Sequence, residues 1–174
     1  VKRGDLRALV QAELRKHGTR CRCIRCREVG HVQYKLGVNP SVDDIEVVIR
    51  RYHASEGVEF FISAEDVKRD ILVGLLRLRE PSSKAHRPET KNVKSMLVRE
   101  LHVYGPLVPV GGEPTPRGWQ HRGWGEKLIH EAERISLEEF DAKKMIVLSG
   151  IGTRNYYRRF GYEREGPYMV KTLK

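Results

Sequence analysis

A chain of 174 residues with 39% apolar content can bury one core, so one main domain with a small appendage is the expected organisation. Thirty-three lysines and arginines against 23 acidic residues give a net charge of +10, which favours a polyanionic partner and disfavours a basic protein tail as substrate. The opening Val1-Lys2-Arg3 and the lack of any long apolar run argue against a signal peptide and a membrane span, leaving a soluble, cytoplasmic fragment as the expectation.

From the N-terminus, Asp5 to Lys16 carries Leu6, Leu9, Val10 and Leu14 on one face, which predicts a short amphipathic helix closed by Gly18. All three cysteines follow within six residues, Cys21, Cys23 and Cys26, flanked by His17 and His31. Thiolates so closely spaced can converge on one zinc ion, with a histidine as fourth ligand. Arg20, Arg22, Arg25 and Arg27 are expected to lower the thiol pKa values. With no coordination position left open, such a zinc would be structural and would tie the first helix to a sheet. Residues 1–37 are read as this appendage and 38–174 as the main domain.

Four β-rich stretches come next: Val29 to Leu36, Ile45 to His53, Glu59 to Ala64 and Ile71 to Arg79, separated by turn residues. They predict a mainly antiparallel sheet. Glu80 to Val93 is polar and aperiodic, a surface loop or hinge. Leu97 to Tyr104 alternates as a strand, with Leu101 and Val103 on one side and Glu100 and His102 on the other. Gly105 to Gly118, rich in proline and glycine, is expected to fold back as a loop.

Gln120-His121-Arg122-Gly123-Trp124-Gly125 then stands where that strand hands over to a helix marked by Leu128, Ile129, Ala132, Ile135 and Leu137. Exposed N–H groups and the positive end of the helix favour an anion there, and the absent side chains of Gly123 and Gly125 admit a phosphate. The backbone of Arg122 to Glu126 would face a pyrophosphate. Gln120 lies at the entrance, and Trp124 packs beside the ligand or anchors the helix. A further strand, Lys144 to Ser149, leads through Gly150 and Gly152 into Asn155-Tyr156-Tyr157-Arg158-Arg159-Phe160-Gly161-Tyr162.

This order of elements resembles the acyl-CoA-binding core of GNAT-type acetyltransferases. The resemblance implies an α/β (α+β) fold with a mixed, mainly antiparallel sheet flanked by helices, and acetyl-CoA as ligand. It also implies that the splayed main chain of Glu100, Leu101, His102 and Val103 pairs with the pantetheine arm. Tyr157, four residues before Gly161, would reach the thioester sulfur and protonate the departing thiolate. Glu100 is a lesser candidate for a general base. Where that family places helices between its first two strands, this chain has extended segments.

Read together, Arg22 to Gly30, Arg99 to Gly105, Thr153 to Tyr157 and Gly166 to Lys171 resemble the catalytic subunits of Elongator, which join a radical-SAM domain to an acetyltransferase domain and modify the wobble uridine of tRNA. The resemblance implies tRNA as partner. In the complete protein it also implies a [4Fe-4S] cluster, S-adenosylmethionine and contact with the radical-SAM domain, whose cysteine triad is not visible here. A protein lysine acetyltransferase and a zinc-stabilised RNA-binding module without catalysis are the rival readings.

Overall fold

The computed structural model describes residues 4–105 and 123–174. Three helices come first: α1 (Leu6–Lys16), α2 (Ile24–Arg27) and α3 (Val29–Leu36). A β-hairpin follows, β1 (Ile45–Ala54) and β2 (Gly57–Asp66), then β3 (Ile71–Arg79), α4 (Pro88–Lys91) and β4 (Ser95–Val103). The last part contains α5 (Trp124–Glu138), β5 (Lys144–Val147), α6 (Arg154–Arg158), β6 (Glu163–Glu165) and β7 (Tyr168–Thr172). The strands form one sheet in the order β1-β2-β3-β4-β5-β7-β6. Every neighbouring pair is antiparallel except β4 and β5. The expected mixed, mainly antiparallel sheet flanked by helices is therefore present. β1 and β2 are joined by a tight turn at Ser55 and Glu56, both with positive φ, so no helix intervenes between them.

One expected strand is a helix. Val29 to Leu36 alternates weakly, but the same residues fit the helical period, with Val29 and Val32 one turn apart and both buried. The ends decide the outcome. The Glu28 carboxylate accepts from the Gly30 N–H at 2.9 Å, and Gly37 closes the helix in the left-handed conformation at φ 65°. α1 forms as expected, yet buries no residue, and Leu6 and Val10 stay exposed.

α5 lies across the sheet because Leu128, Ile129, Ala132 and Ile135 form one apolar stripe. They pack on Phe60, Ile62, Leu76 and Leu78 from the central strands. Each such aliphatic side chain contributes about 1.5–3 kcal/mol by leaving water. A second cluster joins Val29 and Val32 of the N-terminal segment to Ala64, Ile71, Val73 and Trp124. The first turn of α5 is thereby fixed to α3.

On the opposite face of the sheet Glu59, 1% exposed, accepts from Tyr52 at 2.8 Å, Arg77 at 3.1 Å, Arg79 at 3.0 Å and also Arg99. Burial alone would raise its pKa, but these donors hold the carboxyl down at about 2. Arg99 reaches Glu59 from a β-bulge: Arg77 pairs with Glu100 and Leu78 with Val98, so Arg99 is the extra residue of β4.

Candidate acyl-coenzyme cleft and cysteine cluster

β4 and β5 pair only from Ser95–Lys144 to Val98–Val147, and the Leu148 N–H donating to the Val98 carbonyl at 3.4 Å is their last link. β5 then ends, whereas β4 runs on to Val103. On the β5 side, Glu100, Leu101 and His102 have no paired strand among the described residues. The bulge at Arg99 sits where the two strands part. A cleft of about 430 Å³ opens there, lined by Leu101, Val103, Gly123, Gly125, Tyr156 and Tyr157 among others. It thus lies between a bared strand edge and the first turn of α5.

Gly123 caps α5 at φ 77°, and a Cβ there would meet no atom of the described residues within 4 Å. Its lack of a side chain serves the left-handed backbone conformation. Gly125 serves differently. A Cβ on it would run into the Tyr156 hydroxyl, with the Val103 Cγ2 3.7 Å away, so the small residue makes room for a tyrosine of the protein itself. Gln120, His121 and Arg122 lie outside the described residues. Trp124 is buried in the second cluster, with Lys127 Nζ 4.2 Å above its ring, so its indole anchors the helix. Glu126 lines the cleft from the same turn.

The structure brings both Tyr156 and Tyr157 into the cleft wall. Their rings meet edge to face at 5.4 Å, and Tyr157 also abuts Tyr162 at 5.9 Å. Tyr157 is the more buried and belongs to the main core. Burial lifts the pKa of each to about 12, so both phenols keep their protons at neutral pH. Arg159 and Phe160 also line the cleft. They lie in the Asn155–Tyr162 segment, but spacing alone did not single them out. Glu100 and His102 project to the other face of β4, away from Leu101 and Val103.

The Sγ atoms of Cys21, Cys23 and Cys26 lie within 4.8 Å of one another, a grouping able to hold a metal ion. Neither His17 nor His31 belongs to it; His17 pairs with Glu13 at 3.3 Å. Of the flanking arginines, Arg20, Arg22 and Arg27 turn to Asp70 at 2.8–2.9 Å rather than to the thiols. The cation beside the sulfurs is instead Arg7, which donates to Cys26 Sγ at 2.9 Å from α1. Cys23 is drawn down to about 6, chiefly by the backbone N–H of Cys26 and then by the Cys21 side chain. The sequence separation of Arg7 concealed its contact.

No protein-family model matches the chain. A tRNA uridine(34) acetyltransferase from Methanocaldococcus jannaschii is 51% identical over the whole chain, and Elongator complex protein 3 from Saccharomyces cerevisiae is 48% identical over 99% of it. The chain spans about a third of the length of these relatives, 32% and 31% respectively. The solved structure of the Methanocaldococcus infernus Elp3 lacking its N-terminus superposes with a TM-score of 0.88 at 51% identity, covering 98% of this chain and 40% of that one. No helix among the described residues is long and apolar enough to cross a membrane. Over the third of their length that it spans, the chain belongs to the tRNA uridine(34) acetyltransferase and Elongator complex protein 3 family, and its fold is that of a GNAT-type acetyltransferase.

Proposed function

We propose that the cleft binds acetyl-CoA, with the pantetheine arm along the bared edge of β4 and the pyrophosphate at the first turn of α5. One observation carries this reading: a stretch of β4 that has no paired strand on one side among the described residues lines the same cleft as the glycine-capped N-terminus of α5. The edge offers alternating N–H and C=O groups to the amides of an extended ligand, and the helix end offers N–H groups to an anion. When the thioester carbonyl is attacked, the C–S bond breaks and its electron pair remains on sulfur. Tyr157, protonated in its buried setting, gives its proton to that thiolate.

In the complete protein this domain would act with a radical-SAM partner domain, its [4Fe-4S] cluster and S-adenosylmethionine to place an acetyl-derived group on the wobble uridine of tRNA in the cytoplasm. The names of the relatives and the +10 charge support tRNA as partner. Calorimetric titration of the purified chain with acetyl-CoA tests the reading. Gly123→Glu should weaken binding by about tenfold or more, because it sets a carboxylate where the pyrophosphate belongs. Tyr157→Phe should leave binding unchanged and slow acetyl-CoA turnover by about 10²–10⁴-fold. Binding indifferent to Gly123→Glu would remove the cradle from this account.

The cysteine cluster fits zinc by its donor chemistry, since three soft thiols stand close enough to share one ion. Bound zinc would cross-link the loop that follows α1. Metal analysis of the purified chain should return about one zinc per molecule. Cys23→Ser should lower both the zinc content and the melting temperature, whereas full stability without any bound metal would refute a structural zinc.

A further inference from the structure

Beyond the bulge, β4 separates two cavities. Leu101 and Val103 line the coenzyme cleft, while His102 and Tyr104 line a groove of about 570 Å³ that Arg25 and Glu28 help to close. Adjacent side chains of one strand point to opposite faces, so the two cavities share the strand as their wall. The groove is absent from the acetyl-CoA reading, and its lining is chemically specific.

The His102 and Tyr104 rings lie 4.3 Å apart at a 38° tilt, a partly stacked pair with His102 exposed and Tyr104 half-buried. Arg25 is exposed, and in contrast to Arg20, Arg22 and Arg27 it has no hydrogen-bond or ion-pair partner among the described residues. Glu28 uses Oε2 to cap α3, and a carboxylate carries a second acceptor oxygen. One groove therefore combines an aromatic platform, an uncommitted cation and a fixed acceptor.

We infer that this groove receives a uracil base of a bound RNA. The ring would stack on the His102–Tyr104 pair, as unstacked bases do on aromatic side chains. The N3–H of uracil is a donor and meets the Glu28 carboxylate; Arg25 supplies donors for a carbonyl oxygen or the adjoining phosphate. Cytosine is rejected, because its N3 is an acceptor and would face the same carboxylate. Base and coenzyme then approach from opposite sides of β4. The inference rests on the reading of the tRNA wobble uridine as substrate and adds where in the fold that base sits.

The test uses an anticodon stem–loop RNA with 4-thiouridine at the wobble position, bound to the purified chain, irradiated and mapped by mass spectrometry. The adduct should fall on His102, Tyr104 or the neighbouring α2 segment. Tyr104→Leu, which keeps apolar bulk against the second cluster, should weaken binding of the stem–loop by about five- to hundredfold, with Tyr104→Phe restoring it. Arg25→Ala, at an exposed position, should weaken binding without lowering the melting temperature. Replacing the wobble uridine by cytidine should weaken binding of the wild-type chain but make little difference to Tyr104→Leu. Stem–loop binding with the adduct elsewhere and Tyr104→Leu unaffected overturns the groove assignment and leaves RNA as the partner. Absence of stem–loop binding overturns the RNA reading, and this inference with it.

Discussion

Glu59→Ala is expected to cost about 3–5 kcal/mol of folding stability, because it leaves three guanidinium groups around a buried site without their shared anion. Arg77, Arg79 and Arg99 come from two strands, β3 and β4, and meet on this one carboxylate from β2, with Tyr52 adding a fourth bond from β1. Four neighbouring strands are thus tied at one point of the sheet. Urea unfolding followed by circular dichroism measures the loss, and a change below about 1 kcal/mol would show that the arginines find other partners without strain. The pH dependence follows in sign. The folded-state value near 2 lies below the ordinary 4.5, so the contribution is complete above about pH 4.5 and disappears as pH falls toward 2. Glu59→Gln should flatten the stability curve of the wild type in that window.

Gly125→Ala is expected to destabilise the fold by about 1–3 kcal/mol and to impair acetyl-CoA binding, since the added methyl occupies the space of the Tyr156 hydroxyl in the cleft wall. The informative measurement is the double variant. Tyr156→Phe removes the atom that the methyl meets, so Gly125→Ala with Tyr156→Phe should recover most of the lost stability. Gly123→Ala supplies the contrast. Its Cβ meets no atom of the described residues, so the left-handed backbone penalty of about 1–2 kcal/mol is expected, which Tyr156→Phe leaves in place. Additive losses for Gly125→Ala and Tyr156→Phe would show that the two residues do not contend for one space.

The strands from Ile45 to Arg79 and the helix of Leu128, Ile129, Ala132 and Ile135 were legible because their apolar residues recur with a period that only one kind of element satisfies. Val29 to Leu36 was not, because Val32, Tyr34 and Leu36 alternate as in a strand while Val29 and Val32 stand a helical turn apart, and the capping contact of Glu28 decides between the two. The Glu59 network was hidden for another reason. Charged residues at alternate positions of a strand look solvent-facing, and nothing local shows that three of them share a carboxylate on a different strand. The glycines of the cradle were legible as glycines; that Gly125 yields space to Tyr156 required the fold to bring two distant segments together.

An unpaired strand edge is ordinarily adhesive, able to recruit a strand from another molecule and so to seed aggregation. The stretch of β4 that has no strand beside it among the described residues escapes this hazard by its place in the sheet order, since β3 flanks one side and β5 closes its lower half on the other. A foreign strand arriving there would have to enter between two members of one sheet rather than add to its rim. The position therefore filters visitors by width, and the chain can keep open hydrogen-bonding groups for a slender guest without offering them to its own kind.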